Sequence, residues 1–582
     1  MTRLRLWAPH AERVHAVLED GRLPLAPEGD RGWWAVEMDA PAGTSYRFSV
    51  DDGPPRPDPR SGHQPEGVDG PSRIVDHGAF AWSDEAWGGV HLPSAVLYEL
   101  HVGTFSAEGT FEGAIAHLDH LVGLGVTAVE LMPVAEFPGD RGWGYDGVDL
   151  YAPHHGYGGP DGLKRLVDAC HGRGLGVVLD VVYNHLGPAG NYLGEFGPYF
   201  TDCYSTPWGD AVNLDGPHSG GVRDFFVDNA LMWLRDYHCD GLRLDAVHAF
   251  VDKSAIHFLE ELSGRVADLA AHLGRPLFLV AESDLNDPRV VRPPLAGGYG
   301  ITASWSDEFH HALHTALTGD TNGYYEDFGS LAHVAKAFRQ AYVYDGLWSP
   351  HRKRVHGRPP TGLSGRRFVV FMQNHDQVGN RATGERSTAL MSTRRVKIAA
   401  ALVLLSPFVP LLFQGEEWGA STPFQYFTDH PDPELGRAVS DGRREEFSYF
   451  GWRPEDVPDP QDPQTFARSL LDWSELADPQ HRDMLEWYRD LIRLRRTVPS
   501  LTDGRLDSVR ATADDAAGWL AVEHGPVAVV ANIGASPAAV SLSAPAGELL
   551  LASDPGEVRV HAGEVHVGAD AVAVVTMDEP VV

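Results

Sequence analysis

Three apolar runs in this chain each end in a solitary carboxylate: GLRLD at Asp245, FLVAE at Glu282 and FMQNHD at Asp376. A fourth run, DVVYNH, carries Asp180, Asn184 and His185, and His375 stands immediately before Asp376. Arg243 lies two residues before Asp245, so on a strand the two side chains point the same way. This set suits glycoside cleavage. One carboxylate attacks the anomeric carbon while a second, kept protonated by its surroundings, donates to the leaving oxygen. A guanidinium beside Asp245 would keep it ionised and oriented. Helix capping accounts equally well for any one of these carboxylates. It does not account for Arg243, His185 and His375 gathering at the ends of the same apolar runs.

Those runs belong to a regular series. Short Val/Leu/Ile-rich stretches occupy 96–100, 128–131, 177–181, 241–244, 277–281, 301–305, 368–372 and 409–413. Longer segments of helical period follow them, such as 163–171 and 222–237. Eight such units predict an α/β fold with a closed (β/α)8 TIM barrel, whose catalytic groups come from the C-terminal ends of its strands. Before the barrel, apolar/polar alternation at 14–17, 33–36 and 46–50 predicts a small β-sandwich. After it, Val/Ala/Leu runs at 527–531 and 571–576 predict a second one. The expected domains are an N-terminal β-sandwich over 1–88, the barrel with long loop insertions over 89–495, and a C-terminal β-sandwich over 496–582. The Pro/Gly/Asp-rich stretch 51–70 reads as an irregular loop. The long aromatic, glycine-rich segment 184–217 reads as a functional loop.

DVVYNH, GLRLDAVH, VAES and FMQNHD resemble, in order and spacing along the chain, the four short conserved regions of the α-amylase family. The resemblance implies that Asp245 is the nucleophile, Glu282 the general acid/base and Asp376 the carboxylate that grips sugar hydroxyls in the transition state. It implies that Arg243 orients the nucleophile, that His185 and His375 bind hydroxyls of the cleaved sugar, and that Tyr145 of WGYDGVDLY stacks on that ring. Asp180 takes a structural role. Longer stretches narrow the match. HHGYGGPDG, PYFTDCYSTPWGDAVNLDGP, DEFHHALHTALTGDTNGYYEDF and NHDQVGNR are similar to the malto-oligosyltrehalose trehalohydrolases within that family. The N-terminal WAP pattern resembles the carbohydrate-binding-module-like sandwich these share with glycogen branching and debranching enzymes. The implied activity is hydrolysis of the α-1,4 bond before a terminal trehalose, on malto-oligosyltrehalose and maltooligosaccharides. A malto-oligosyltrehalose synthase would supply the substrate.

One departure concerns metal. Members of the family that hold a structural calcium carry a histidine four residues beyond the nucleophile and a lysine before it. Here those positions are Ala249 and His248, so no metal and no cofactor is expected, and His248 is free to face the leaving-group side. Trp143, Trp208, Tyr325 and Tyr426 could stack on sugar rings or simply pack. Asp307 and Glu308 could touch substrate or cap the following helix. His310, His311 and His314 have helical spacing but lack the partner carboxylates of a zinc site, which favours an ordinary helix face.

Composition narrows the partners. With 47 Lys+Arg against 81 Asp+Glu the formal net charge is -34, a surface that repels phosphate backbones and anionic lipid. Neither nucleic acid nor membrane is expected as a partner. Cys170, Cys203 and Cys239 show no metal or disulfide spacing and read as buried free thiols, and no apolar leader is evident. A cytoplasmic enzyme is expected. Two other functions stay open on residues alone: glycosyl transfer, as in a 1,4-α-glucan branching or debranching enzyme, and a non-catalytic glucan-binding protein. Retention of all three carboxylates speaks against the last.

Overall fold

The computed structural model of the chain describes residues 2–449 and 452–578. Eight strands close into a parallel barrel. In chain order they are Leu97–Leu100, Ala128–Leu131, Gly176–Val181, Gly241–Leu244, Phe278–Ala281, Ala303–Trp305, Phe368–Val370 and Val409–Phe413. These are the eight runs read from the sequence, several shifted by a residue or two at an end. Every residue in them is buried, which explains why they read as continuous apolar runs without alternation. Helices cover the outside, among them Gly159–His171 and Ser219–Arg235.

The lumen changes character along its axis. Alternate residues of each strand face inward. At the floor these are Leu97, Ala128, Val178, Phe278 and Leu411, part of one apolar cluster with Trp305. Two residues further along, strands one to three present Glu99, Glu130 and Asp180, and strand four presents Arg243. The parallel registers set Glu99 beside Glu130 and Asp180 beside Arg243. An apolar floor thus gives way to a charged layer directly below the strand ends where the carboxylates stand.

The flanking regions are β-rich. Strands Thr2–Trp7, Ala26–Glu28 and Trp33–Met38 form one small sheet, and Val14–Leu18, Gly21–Pro24, Ser45–Val50 and Ser72–Arg73 another. Trp7 docks this part on the barrel. A Cβ at Gly221 would lie 2.2 Å from the Trp7 indole, so only glycine permits that approach. At the other end a five-stranded and a three-stranded antiparallel sheet pack together between Val509 and Met577. Arg395 on the barrel reaches Asp570 there at 2.9 Å. The 184–217 segment holds a hairpin, Phe200–Thr206 with Gly209–Val212, and Trp208 lies in its turn. Cys170 and Cys239 are buried free thiols, whereas Cys203 on that hairpin is exposed, contrary to expectation. A strand in a two-stranded sheet has a solvent side, and Cys203 occupies it. Among the described residues no helix is long and apolar enough to cross a membrane.

Candidate active site

Asp245 follows barrel strand four and Glu282 follows strand five. His375 and Asp376 open the short helix His375–Gly379 after strand seven, which Asn374 caps by accepting from the Gln377 amide at 2.8 Å. With Trp143, Tyr145 and His185 they line a cleft of about 870 Å³, a size suited to an oligosaccharide segment.

Arg243 joins the strand ends. It is fully buried, and its guanidinium lies 4.3 Å over the Trp305 ring. Nη1 donates to Asp180 Oδ2 at 2.7 Å and to Asp245 Oδ1 at 2.8 Å, while Nη2 donates to Glu282 Oε2 at 2.8 Å. The second oxygen of Asp245 accepts from Asn184 Nδ2 at 2.6 Å. His185 Nδ1 donates to Asn184 Oδ1, so the orientation of the amide is fixed from both ends. Ala246, next in sequence after Asp245, adopts a left-handed conformation at φ 39. This costs a residue with a Cβ about 1–2 kcal/mol, and it aims the Ala246 amide at Glu282 Oε2, 2.9 Å away. Burial, reinforced by the charge of Asp245 and opposed by Arg243, raises Glu282 above the usual carboxylate range. One carboxylate is therefore clamped at both oxygens, and its neighbour leans toward the protonated form.

A second chain of contacts starts below. Glu99, buried in strand one, accepts from the His375 backbone amide at 2.9 Å and from its Nδ1 at 2.6 Å. Burial works against charge on this imidazole, but the carboxylates of Asp376 and Glu99 prevail and push it up to about 9. His375 is thus an imidazolium at neutral pH. Its Nε2 donates to the Tyr145 hydroxyl at 2.7 Å, which donates in turn to Asp180 Oδ2 at 2.6 Å. Burial pushes Asp180 up to about 7. Glu130 has no hydrogen-bond partner for either carboxyl oxygen among the described residues. Burial first, then the charges of Glu99 and Asp180, raise it well above the usual range, so it is held as the neutral acid. A buried charge is tolerated only when paired, and protonating Glu130 spares the layer one negative charge.

The chain matches the model of the α-amylase catalytic domain over residues 76–198 and that of a domain of unknown function (DUF3459) over residues 504–574. It is 52% identical to a malto-oligosyltrehalose trehalohydrolase from Arthrobacter ramosus, over 99% of this chain and 100% of that one. The chain belongs to the malto-oligosyltrehalose trehalohydrolase family. A family member from Rhizobium sp. (strain M-11) is 50% identical, over 95% of this chain and 94% of its own. A solved structure of an α-amylase-type protein from Salmonella typhimurium superposes with a TM-score of 0.90 at 40% identity, covering 99% of this chain and 97% of that one.

On this trehalohydrolase-family scaffold the candidates from sequence mostly converge. Asp245, Glu282, Asp376, Tyr145, His185, His248 and His375 all border the cleft, and Arg243 lies beneath them. Trp208 is 48% exposed and stacks on the His185 ring at 4.5 Å, nearly parallel. Burial lowers His185 to about 4, so this partner is neutral. Trp143 is buried. Its indole donates to the Gln425 carbonyl at 3.0 Å and packs on Phe424, with one edge on the cleft. Tyr426 also borders the cleft, under the guanidinium of Arg443 at 4.8 Å.

Tyr325 is a correction. It is 6% exposed, and its hydroxyl meets His310 Nε2 at 2.9 Å below the cleft floor. Tyr324, its neighbour in the short helix Gly323–Asp327, is the one that reaches the active face. Of the two roles open to Asp307 and Glu308, capping the following helix is the one the structure does not bear out. Ser306 holds the N-cap position, and Glu308 accepts instead from the amides of Val343 and Tyr344 at 2.6 and 2.7 Å. His310 and His314 lie on the buried face of that helix. Asn184 is committed to Asp245 and His185, which leaves it poorly placed as a calcium ligand. Among the described residues Glu136, His154 and His155 have donor atoms close enough to share an ion. Existing bonds explain that proximity: His155 Nδ1 to Glu136 Oε1 at 2.7 Å and His154 Nε2 to the Gly139 carbonyl at 3.1 Å.

Proposed function

We propose that the chain hydrolyses the α-1,4-glucosidic bond next to the terminal trehalose of a malto-oligosyltrehalose, releasing trehalose with the α configuration of the glucan retained. The observation that carries the chemistry is the single Arg243 guanidinium spanning Asp245 and Glu282 at 2.8 Å each. Retaining pairs stand roughly 5–5.5 Å apart and inverting pairs roughly 6.5–9.5 Å; one guanidinium bridging both favours the closer spacing. Full-length kinship with trehalohydrolases supports the choice of bond.

Asp245 attacks the anomeric carbon as the bond to the leaving oxygen breaks, and protonated Glu282 gives its proton to that oxygen. Trehalose departs, leaving the glucan esterified to Asp245. Glu282, now a carboxylate, takes a proton from water as the water attacks the same carbon, and Asp245 is released. His375 keeps its positive charge beside the reacting sugar while its Nε2 holds the Tyr145 hydroxyl, and Asp376 beside it accepts from hydroxyls whose hydrogen bonds tighten in the transition state. Tyr145 offers its ring to the same sugar. Trp208 and His248 extend the surface along the cleft.

Under this reading a malto-oligosyltrehalose synthase makes the substrate, and the free thiols fit a cytoplasmic setting. The regions 1–88 and 496–582 would act as separate sandwiches bracing a barrel over 89–495. The test is a product assay on maltotriosyltrehalose beside equimolar maltopentaose. Free trehalose released at least tenfold faster than maltopentaose is cut supports the reading. Equal rates, or new branch points on longer glucans, would replace it with a general glucan hydrolase or a branching enzyme.

A further inference from the structure

A cavity of about 670 Å³ lies where the C-terminal β region meets the barrel, and none of its lining residues borders the catalytic cleft. Ala316, Leu331 and Arg395 form its barrel side, and the turn 515–518, Trp519 and the loop 533–539 form the other. Arg395 stands in the first turn of helix Thr393–Leu404, which leads into strand eight. Such a helix starts where the preceding strand finishes, so the cavity lies at the same end of the barrel as the cleft. Its volume falls within the range of small-ligand sites.

Both loops are held in place. Asn532 is fully buried, and its Nδ2 donates to the Ser536 and Gly568 carbonyls at 2.9 Å each, while its Oδ1 accepts from the Gly534 amide at 2.9 Å. In the facing turn Asp514 Oδ1 accepts from the Ala516 and Ala517 amides at 2.9 Å each. The loops touch at Gly518, whose φ is 78: a Cβ there would lie 2.6 Å from the Gly534 Cα. Trp519 opens strand Trp519–His524, packs on the apolar core of the C-terminal sheets and borders the cavity.

The wall disfavours a charged ligand. Arg395 is committed, with Nε donating to Asp570 Oδ1 at 2.9 Å, Nη1 to the Leu317 carbonyl at 2.6 Å and Nη2 to the Ile533 carbonyl at 3.1 Å. Asp515 Oδ1 accepts from the Leu331 amide at 2.6 Å, and so already fills the anion position at the start of helix Leu331–Gln340. Among the described residues, Asp515 Oδ2, the Ser536 hydroxyl, the amides of Ala535 and Ser536 and the Trp519 indole N–H are without hydrogen-bond partners. A neutral ligand with many hydroxyls and one apolar face matches this set: its hydroxyls donate to the carboxylate and accept from the N–H groups, and its C–H face lies on the indole. A glucose unit is such a ligand. We propose that this cavity binds a short segment of α-glucan against Trp519 and so anchors the enzyme to long glucans at a site apart from the cleft. The proposal requires a glucan substrate but no particular cleaved bond. Anchoring raises the local concentration of chain at the cleft, a gain open only to chains long enough to reach both places.

The test uses the full chain carrying Asp245→Asn, so that glucan is bound without turnover, and reads its migration through native gels containing amylopectin. This parent should be retarded. Adding Trp519→Ala, or Ala535→Glu, should raise the amylopectin dissociation constant at least threefold. Ala535→Glu adds bulk and charge at an exposed loop position and removes nothing from the core, so it decides the matter if Trp519→Ala fails to fold. The dissociation constant for maltotriosyltrehalose, too short to occupy both places, should move less than twofold by calorimetry. In otherwise wild-type enzyme the same two substitutions should leave kcat/KM on maltotriosyltrehalose within twofold and raise KM at least threefold on long malto-oligosyltrehaloses. No retardation of the parent, undiminished retardation in Ala535→Glu, or an equal loss of affinity for maltotriosyltrehalose would overturn the proposal. A wild type with no preference for maltotriosyltrehalose over maltopentaose would overturn the trehalose-releasing reading and leave this one standing.

Discussion

Replacing Glu99 by glutamine removes one buried charge and leaves the shape nearly intact. The amide oxygen can still accept one hydrogen bond from His375, but the counter-charge that keeps the imidazole protonated is gone. In the wild type that counter-charge, with Asp376, raises His375 from 6.5 to about 9 against the pull of burial. A raised histidine contributes stability in full below 6.5 and loses it as pH climbs through 9. The full contribution is ~3 kcal/mol, of which ~2.5 kcal/mol remains at pH 7. Glu99→Gln should therefore lower the melting temperature most near pH 6, and the deficit should close by about pH 9.5. At pH 7 the neutral His375 would lose its charged hydrogen bond to the Tyr145 hydroxyl, which holds the ring facing the sugar; a loss of roughly 1.5–3 kcal/mol would lower kcat/KM about 10- to 150-fold. The decisive readout is an NMR titration with labelled histidine, in which His375 is assigned by its absence in His375→Asn. His375 should titrate near 9 in wild type and below 7 in Glu99→Gln. A wild-type value near 6.5, or a melting deficit that does not change with pH, would refute the reasoning.

Three further outcomes follow from the same geometry. Asp245→Asn should lower kcat on the order of 10⁴-fold or more with the circular dichroism spectrum unchanged, because asparagine can still face Arg243 and Asn184 but cannot form the ester; near-normal turnover would remove Asp245 as nucleophile. Trp208→Ala exposes one face of His185 and deletes a sugar platform, and should raise KM about 2- to 12-fold with a smaller effect on kcat; a fall in kcat alone would assign Trp208 to the chemistry instead. Exhaustive chelation should leave activity unchanged, since Asn184 is held by Asp245 and His185; a loss reversed by calcium would contradict that.

The strand ends were legible in the sequence because a barrel strand buried on both faces is an unbroken apolar run, and a carboxylate closing such a run stands out. Arg243 and Asp245 could be placed on one side by their two-residue spacing alone. Glu99 and Glu130 were missed although their signal was present. LYEL and AVEL each set a lone glutamate inside a run too apolar to reach water, and such a residue must face a partner or another acid in the lumen. Tyr324 and Tyr325 could not be told apart, because which of two adjacent rings turns outward in a short helix is decided by the packing of His310 and His314 against one of them. Cys203 read as buried by residue type, and only the hairpin that carries it sets its exposure.

The most direct test is proton NMR of maltotriosyltrehalose in the first minutes after enzyme is added, before mutarotation scrambles the new reducing end. Free trehalose should appear together with the α-anomer of maltotriose, which joins the choice of bond and the Asp245 ester in one spectrum. The β-anomer appearing first would contradict the retaining pair of Asp245 and Glu282, and maltose with glucosyltrehalose, or glucose with maltosyltrehalose, in place of maltotriose with trehalose would contradict the choice of bond.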